Sequence, residues 1–329
     1  MNTQVLLKSR PNGMVEIDNF EIKQSEIHAL QEGQILIRNH FISIDPAIRG
    51  WMNAGRTYID GIEIGGVIRS FAVGEVIDSL NTKFSIGDWV EGLLGAQAYA
   101  IAEEKGLKKI PIGEFSPSWY LGILGMPAMT AYFGLLAKGN PQEGETILIS
   151  GAAGVVGTTV GQIAKIKGCR VVGIAGGQQK CQYLLGLGFD AVIDYKQENV
   201  HEKLQEICPQ GVHVFFDNVG GEILDTGLLH LARGARVVIC GAISQYNDMA
   251  NIRGIKNYMK LVTARANLTG IIVFDFQSQY PQAMNEISQW IREDKIKYKE
   301  QIINGLENFP KALQMLFSGD NFGKLVIKV

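Results

Sequence analysis

Ala152-Ala153-Gly154-Val155-Val156-Gly157 stand between a short apolar run, 146–150, and a segment of helical spacing. The pattern is G-x-G-x-x-G with alanine in the first place. In such a turn the second glycine lets the backbone approach a pyrophosphate, and the third lets the helix pack on its strand. The phosphates then rest on the N–H groups of the helix N-terminus. Alone the pattern is weak; inside a strand–turn–helix it becomes specific. It predicts a dinucleotide cofactor lying against Gly154 and Gly157. An NAD site places a carboxylate about 20 residues further on, at the end of the second strand. Here Ala175 is followed by Gly176-Gly177-Gln178-Gln179-Lys180, with no carboxylate. Lys180 puts a cation where a ribose 2′-phosphate would lie, and the glycines leave room for it. The expected cofactor is NADP(H).

Other chemistries lack their residues. A catalytic zinc needs a Cys/His/carboxylate shell with one open position. The five histidines, His28, His40, His201, His213 and His230, are scattered, and no cysteine precedes Cys169. His40, beside Phe41, reads as a structural histidine. The chemistry is expected to be metal-free. Cys169, Cys181, Cys208 and Cys240 form no C-x-x-C pair and read as reduced, mostly buried thiols of a cytoplasmic protein.

These residues need elements to hold them. From 146 the chain alternates regularly: strands at 146–150, 170–175, 191–194, 212–217, 235–240 and 267–274. Helices at 180–186, 198–208 and 222–232 lie among them, after a first helix carrying Val156, Val160, Ile163, Ala164 and Ile166. Such alternation predicts a doubly wound parallel six-stranded sheet with right-handed crossovers. The first third is Gly-rich and strand-like, at 34–38, 74–78 and 84–90, and shows no helix-period pattern before about residue 116. After a helix at 285–294, the strand-like segments 299–303 and 324–329 are expected to return to that first region. The reading is therefore an α/β chain of two domains: a β-rich one of 1–120 and 300–329, and a nucleotide-binding one of 121–299.

Composition agrees. A chain of 329 residues suggests two domains, and 46% hydrophobic with 19% charged residues is an ordinary globular balance. A net charge of −2 offers no field to hold a nucleic acid. Two long uncharged stretches, 115–137 and 146–164, read as buried strand–turn–helix segments rather than membrane spans, since Pro117 and Pro127 interrupt the first and glycines and threonines the second. Residues 1–10 lack a signal-peptide pattern, so the protein is expected to be soluble.

Longer motifs carry a resemblance. They include Gly125-Met126-Pro127-Ala128-Met129-Thr130-Ala131-Tyr132, the run 151–167 and Phe216-Asp217-Asn218-Val219-Gly220-Gly221. Cys240-Gly241-Ala242-Ile243-Ser244-Gln245-Tyr246-Asn247, Gly270-Ile271-Ile272-Val273-Phe274-Asp275 and Gly319-Asp320-Asn321-Phe322-Gly323-Lys324 complete the set. Over essentially its whole length the chain resembles the zinc-free medium-chain dehydrogenase/reductases of the prostaglandin reductase, leukotriene hydroxydehydrogenase, alkenal reductase and curcumin reductase group. The resemblance implies a GroES-like β domain plus a Rossmann domain, a homodimer, and NADPH-dependent reduction of the carbon–carbon double bond of α,β-unsaturated ketones and aldehydes. It puts Ala153, Gly154, Val155 and Val156 on the pyrophosphate, Lys180 on the 2′-phosphate and Tyr195 beside the adenosine ribose phosphate. Asn218 and Cys240, Gly241, Ala242, Ile243, Ser244 and Tyr246 would follow the nicotinamide half, with Ile271, Ile272, Val273 and Asn321 closing over it. Two bland alternatives stand beside this: Asn218 as a helix cap and Asn321 as a turn residue.

Hydride addition to the β-carbon generates an enolate. Without a metal its oxygen needs hydrogen-bond donors, each worth roughly 3–4 kcal/mol. The candidates are a cofactor ribose hydroxyl and a tyrosine: Tyr246 after the fifth strand, Tyr58 from the β domain, or Tyr258 in the polar connection. One departure bears on substrate. Many relatives read Asp-Pro-Tyr-Met-Arg-Gly where this chain has Asp45-Pro46-Ala47-Ile48-Arg49-Gly50, so Ala47 enlarges the pocket or passes the task to Tyr58 or Trp51. A quinone reductase of the same superfamily and a non-catalytic NADPH-binding protein are the competing readings.

Overall fold

The structure is a computed structural model and describes residues 1–55, 59–248 and 251–329. It divides into two compact units, the first of Met1–Gly122, Tyr246–Asp248 and Glu300–Val329, the second of Ile123–Gln245 and Met249–Lys299.

The first unit begins with the antiparallel pair β1 (Asn2–Leu7) and β2 (Phe20–Ser25). β3 (Ile35–Ser43) follows, then a short helix α1 (Ala47–Trp51), β4 (Ala72–Ser79), β5 (Trp89–Gly92), β6 (Tyr99–Ala102) and β7 (Lys108–Lys109). β3 alternates as a half-buried strand should: Ile35 and Ile37 face the core, while Arg38 points out and pairs with Glu75 at 2.7 Å. α1 corrects the expectation of no helix before residue 116. Five residues are too few to show a period, and the segment is helical because Ile48, Arg49 and Trp51 are buried by their surroundings.

The second unit starts with α2 (Met126–Phe133), which runs into a π-helical stretch, Gly134–Gly139. There follow β8 (Thr146–Ser150), α3 (Val155–Ile166), β9 (Arg170–Ala175), α4 (Gln178–Gly186), β10 (Ala191–Asp194), α5 (Val200–Ile207), β11 (Val212–Asp217), α6 (Gly221–Leu228), β12 (Leu231–Ile239), α7 (Met259–Ala264), β13 (Asn267–Gly270) and α8 (Tyr280–Arg292). The six strands pair parallel in the order β10-β9-β8-β11-β12-β13. Every residue of β8 is buried, and Phe215 and Phe216 of β11 are both fully buried on opposite faces. That is the condition of a strand covered by helices on both sides.

Three boundaries differ from the sequence reading. β12 begins at Leu231, not 235, because Leu231 pairs with Val212 before a register shift that Gly234 (φ 75°) accommodates. β13 stops at Gly270 instead of 274, since the chain turns into a 3₁₀ helix at Val273–Gln279. α8 starts at Tyr280, five residues early, with Pro281 in its first turn where the missing N–H costs nothing. The two long uncharged stretches resolve into α2 with its π-helical extension and into β8 with α3. No helix of the described residues is long and apolar enough to cross a membrane.

The tail belongs to the first sheet. β14 (Glu300–Asn304) and β15 (Lys324–Lys328) pair parallel, and β15 pairs antiparallel with β3, giving the order β14-β15-β3-β4-β5-β7 with β6 also on β3. Between them α9 (Phe309–Ser318) sets Phe309 and Leu313 into a core with Val5, Ile35, Ile37 and Ile327. That amphipathic helix was not read from the sequence.

Candidate cofactor and acceptor sites

The carboxyl edge of the six-stranded sheet is shaped by glycines with separate reasons. Gly151 leaves β8 at φ 57°, a left-handed turn. A Cβ on Gly157 would stand 2.6 Å from both Gly151 O and Ala152 Cα. Those are backbone atoms that cannot yield, so α3 packs on the turn only with glycine there. A Cβ on Gly154 would meet only Gly151 O, at 3.4 Å. Gly154 is also the N-cap of α3 and supplies no side-chain acceptor to its first N–H groups. An open face above unfilled helix N–H groups is what an anionic pyrophosphate requires.

Side chains knit the middle of the edge together. Ser150 Oγ donates to Asp217 Oδ1 at 2.5 Å and accepts from Asn218 N at 2.9 Å, while Asn218 Nδ2 donates to Ser150 O at 2.8 Å. Asp217 Oδ2 accepts from Gly220 N at 2.9 Å, and Cys240 N donates to Asp217 O at 2.8 Å. Ser244 Oγ donates to Val219 O at 2.6 Å. The ends of β8, β11 and β12 are thus one hydrogen-bonded unit. Asn218 does not cap α6, whose N-cap is Gly220; its amide ties β11 to β8. Burial raises the Asp217 carboxyl above its ordinary range, against hydrogen bonds from Ser150, Val219 and Gly220 that pull it down. Burial, then the Asp217 charge, pushes the Cys240 thiol up to about 12. Cys240 therefore stays a thiol and is no nucleophile.

At the β9–β10 end, Gly177 (φ 95°) is the N-cap of α4, so Lys180 lies in that helix's first turn and is half-buried. Gly177 N donates to Asp194 Oδ1 at 2.9 Å, fixing the loop. A Cβ on Gly176 would lie 2.8 Å from Tyr195 Cε1 and 3.0 Å from Lys196 Cε. Tyr195 and Lys196 therefore both fold over the Gly176 backbone. The sequence reading missed Lys196; the signal was its place next to Tyr195 at the end of the third strand of the sheet. Ile271 and Val273 are buried, whereas Ile272 between them is 42% exposed, just past the end of β13.

The remaining candidates lie elsewhere. Tyr246 groups with the first unit and is half-buried there, beside Asn247, whose Nδ2 donates to Met14 Sδ at 3.3 Å. Asn321, also in the first unit, is buried and donates to Gly323 O at 3.2 Å, a turn bond. Tyr258 is the N-cap of α7 and 58% exposed. Tyr58 lies outside the described residues. Among the described residues no group of three or more His, Cys, Asp or Glu side chains is placed to hold a metal ion. His40 stacks on Trp89 with ring centroids 4.6 Å apart, and burial lowers its pKa.

A six-stranded sheet with the order 3-2-1-4-5-6 and a glycine turn after its first strand defines a dinucleotide-binding fold. Its companion is an antiparallel β unit completed by the chain's last strand. The chain belongs to the medium-chain dehydrogenase/reductase family, in the group that holds the curcumin, 2-alkenal and prostaglandin reductases. Residues 3–110 match the family model described as the N-terminal domain of oxidoreductase, and 155–289 the model described as zinc-binding dehydrogenase. The chain is 41% identical over 334 residues to the NADPH-dependent curcumin reductase of Escherichia coli (strain K12), covering 100% of this chain and 97% of that protein. It is 38% identical over 335 residues to the NADP(+)-dependent 2-alkenal reductase of Nicotiana tabacum, again covering 100% and 97%. The crystal structure of CurA from Vibrio vulnificus in complex with NADPH superposes with a TM-score of 0.95 at 40% identity, covering 99% of each chain.

Proposed function

We propose that this protein is an NADPH-dependent oxidoreductase that reduces the carbon–carbon double bond of α,β-unsaturated ketones and aldehydes. The observation that carries the reading is full-length similarity to two reductases named for NADPH or NADP and for such substrates. Residues 121–299 form the cofactor domain, and 1–120 with 300–329 the acceptor domain. Ala153, Gly154, Val155, Val156 and Gly157 hold the pyrophosphate; Lys180, Tyr195 and Lys196 surround the 2′-phosphate. Asn218, Cys240, Gly241, Ala242, Ile243 and Ser244 border the nicotinamide half, with Ile271, Ile272, Val273 and Asn321 over it. When bound, NADPH supplies the hydride and a ribose hydroxyl.

The chain's own part is to orient the acceptor and stabilise the developing oxyanion. Tyr246 donates its phenolic hydrogen bond to that oxygen, with Tyr58 and Tyr258 the other candidates. The protein acts as a cytoplasmic homodimer that binds neither nucleic acid nor membrane. Its free thiols suit a reducing compartment. β13 is a mostly exposed edge strand of the sheet, with Val262 of α7 65% and Leu268 37% exposed nearby in sequence. An unpaired edge flanked by apolar groups suits strand pairing with a second copy.

The test is loss of NADPH absorbance with a long-chain 2-alkenal, an aryl enone and a quinone, with NADH in parallel. Turnover of the enones with NADPH, giving saturated carbonyl products by mass spectrometry, is expected. Activity on the quinone alone, or NADPH binding without turnover, overturns the reading.

A further inference from the structure

Lys324 opens β15 with only 2% of its surface exposed. Its ammonium has three protons and three partners: Ser43 Oγ at 2.6 Å, Asp45 Oδ1 at 2.6 Å and Ile44 O at 3.0 Å. Ser43 Oγ in turn donates to Asp45 Oδ2, so both carboxylate oxygens are engaged. Ser43 N donates to Phe71 O at 2.8 Å, Ile44 N to Leu325 O at 3.1 Å, and Ser70 Oγ to Ser43 O. Residues 43–45 are therefore held by β15 from one side and by the approach to β4 from another.

The surroundings are apolar; Ile42, Ile44 and Ile327 are at most 1% exposed. A buried ion pair in such a place gains little stability over apolar side chains of the same volume. What it supplies is a fixed position for the chain that carries it. That chain continues through Pro46 to Ala47, and Ile48 N donates to Asp45 O at 3.1 Å, which starts α1 on the anchored residue. Two residues beyond Ala47, Arg49 donates to Asn53 Oδ1 at 2.6 Å and to Gly13 O at 3.0 Å. Ala47 thus lies between two buried cations. It carries a single methyl group, so the room beside it depends on where the backbone stands and not on a rotamer.

We infer that Lys324, acting through Asp45, is a positioning residue that sets the place of Ala47 and α1 and thereby the size of enone the enzyme accepts. The inference rests on the reading under Proposed function and extends it to a residue that need not touch substrate. Lys324→Met alone leaves the Asp45 carboxylate buried without its cation. The test therefore uses Lys324→Met combined with Asp45→Asn, and the isosteric Asp45→Asn alone should the pair not fold. The readout is the ratio of kcat/KM for a short 2-alkenal to that for a bulky aryl enone, with NADPH Kd measured by fluorescence.

The ratio is expected to fall at least fivefold as the bulky acceptor gains access, with NADPH Kd changed less than twofold. A merely structural role lowers the active fraction, scales both acceptors equally and leaves the ratio where it was; that result overturns the inference. If the unmodified protein turns over neither acceptor, the functional reading fails first and the inference falls with it.

Discussion

At the carboxyl edge of the six-stranded sheet, working positions are set mainly by backbone: a left-handed Gly151, a Gly157 with no room for a methyl group, and a helix N-cap without a side-chain acceptor. In the unit built on β3 and β15, the comparable task falls to buried charges, with Lys324 and Asp45 on one side of Ala47 and Arg49 on the other. The contrast follows from topology. A parallel sheet delivers successive loops to one edge, so turns alone can shape a site there. An antiparallel sheet with long connections has no such edge and needs side chains that reach across the fold.

The largest effect separating the two regions is expected from Lys324→Met alone. Stranding Asp45 should cost about 3–5 kcal/mol in denaturant melts, whereas the pair with Asp45→Asn recovers much of that loss. Equal losses for the single and paired variants would show that packing, not charge, holds this segment. Next comes Gly157→Ala, where a methyl group meets backbone at 2.6 Å; a loss of about 3 kcal/mol and of NADPH binding is expected by melting and fluorescence. Wild-type affinity in this variant would mean that the turn is not shaped by the glycine.

A pH effect should be confined to the β-rich unit. Burial raises the Glu91 carboxyl to about 7, against an ordinary 4.5, with Lys108 pulling the other way. The folded state then holds this proton more tightly than the unfolded one. Stability from this group is full below about pH 4.5 and declines as pH rises through 7, by roughly 2–3 kcal/mol at 1.4 kcal/mol per unit. Glu91→Gln should remove that decline, so its melts at pH 5 and pH 8 should differ less than those of the unmodified protein.

Smaller effects probe the two sites themselves. Tyr246→Phe is expected to slow enone turnover at least ~tenfold with NADPH affinity nearly unchanged; unaltered turnover removes Tyr246 from the chemistry. Lys180→Gln should raise the KM for NADPH about tenfold without moving that for NADH, a loss of one charged hydrogen bond. Lys196→Gln should do the same more weakly, and a parallel rise for NADH would place both lysines away from the 2′-phosphate.

The two regions also differed in how far they could be read in advance. β8, β9, β10 and β11 stand on the residues their apolar runs mark, because a strand buried on both faces shows as an unbroken run. α1 and α9 were not read. The first is shorter than two turns, and its helicity comes from what buries Ile48 and Trp51. Among candidate site residues, the glycine turn and Lys180 were legible from motif and spacing. Lys196 was not, since only the fold of β10 back along β9 sets it over Gly176.

The sequence by itself determined the parallel sheet, its glycine turn and the family, because each is written in short runs of adjacent residues whose spacing matches one local geometry. Tertiary structure alone decided that Asn218 ties β11 to β8 rather than capping α6, and that Tyr246 groups with the β-rich unit. It alone joined Lys324 to Asp45, 279 residues away. A buried charge carries no sign in the sequence of the partner it will meet. The partner is chosen when β15 pairs with β3, and only then does the lysine have a place to go.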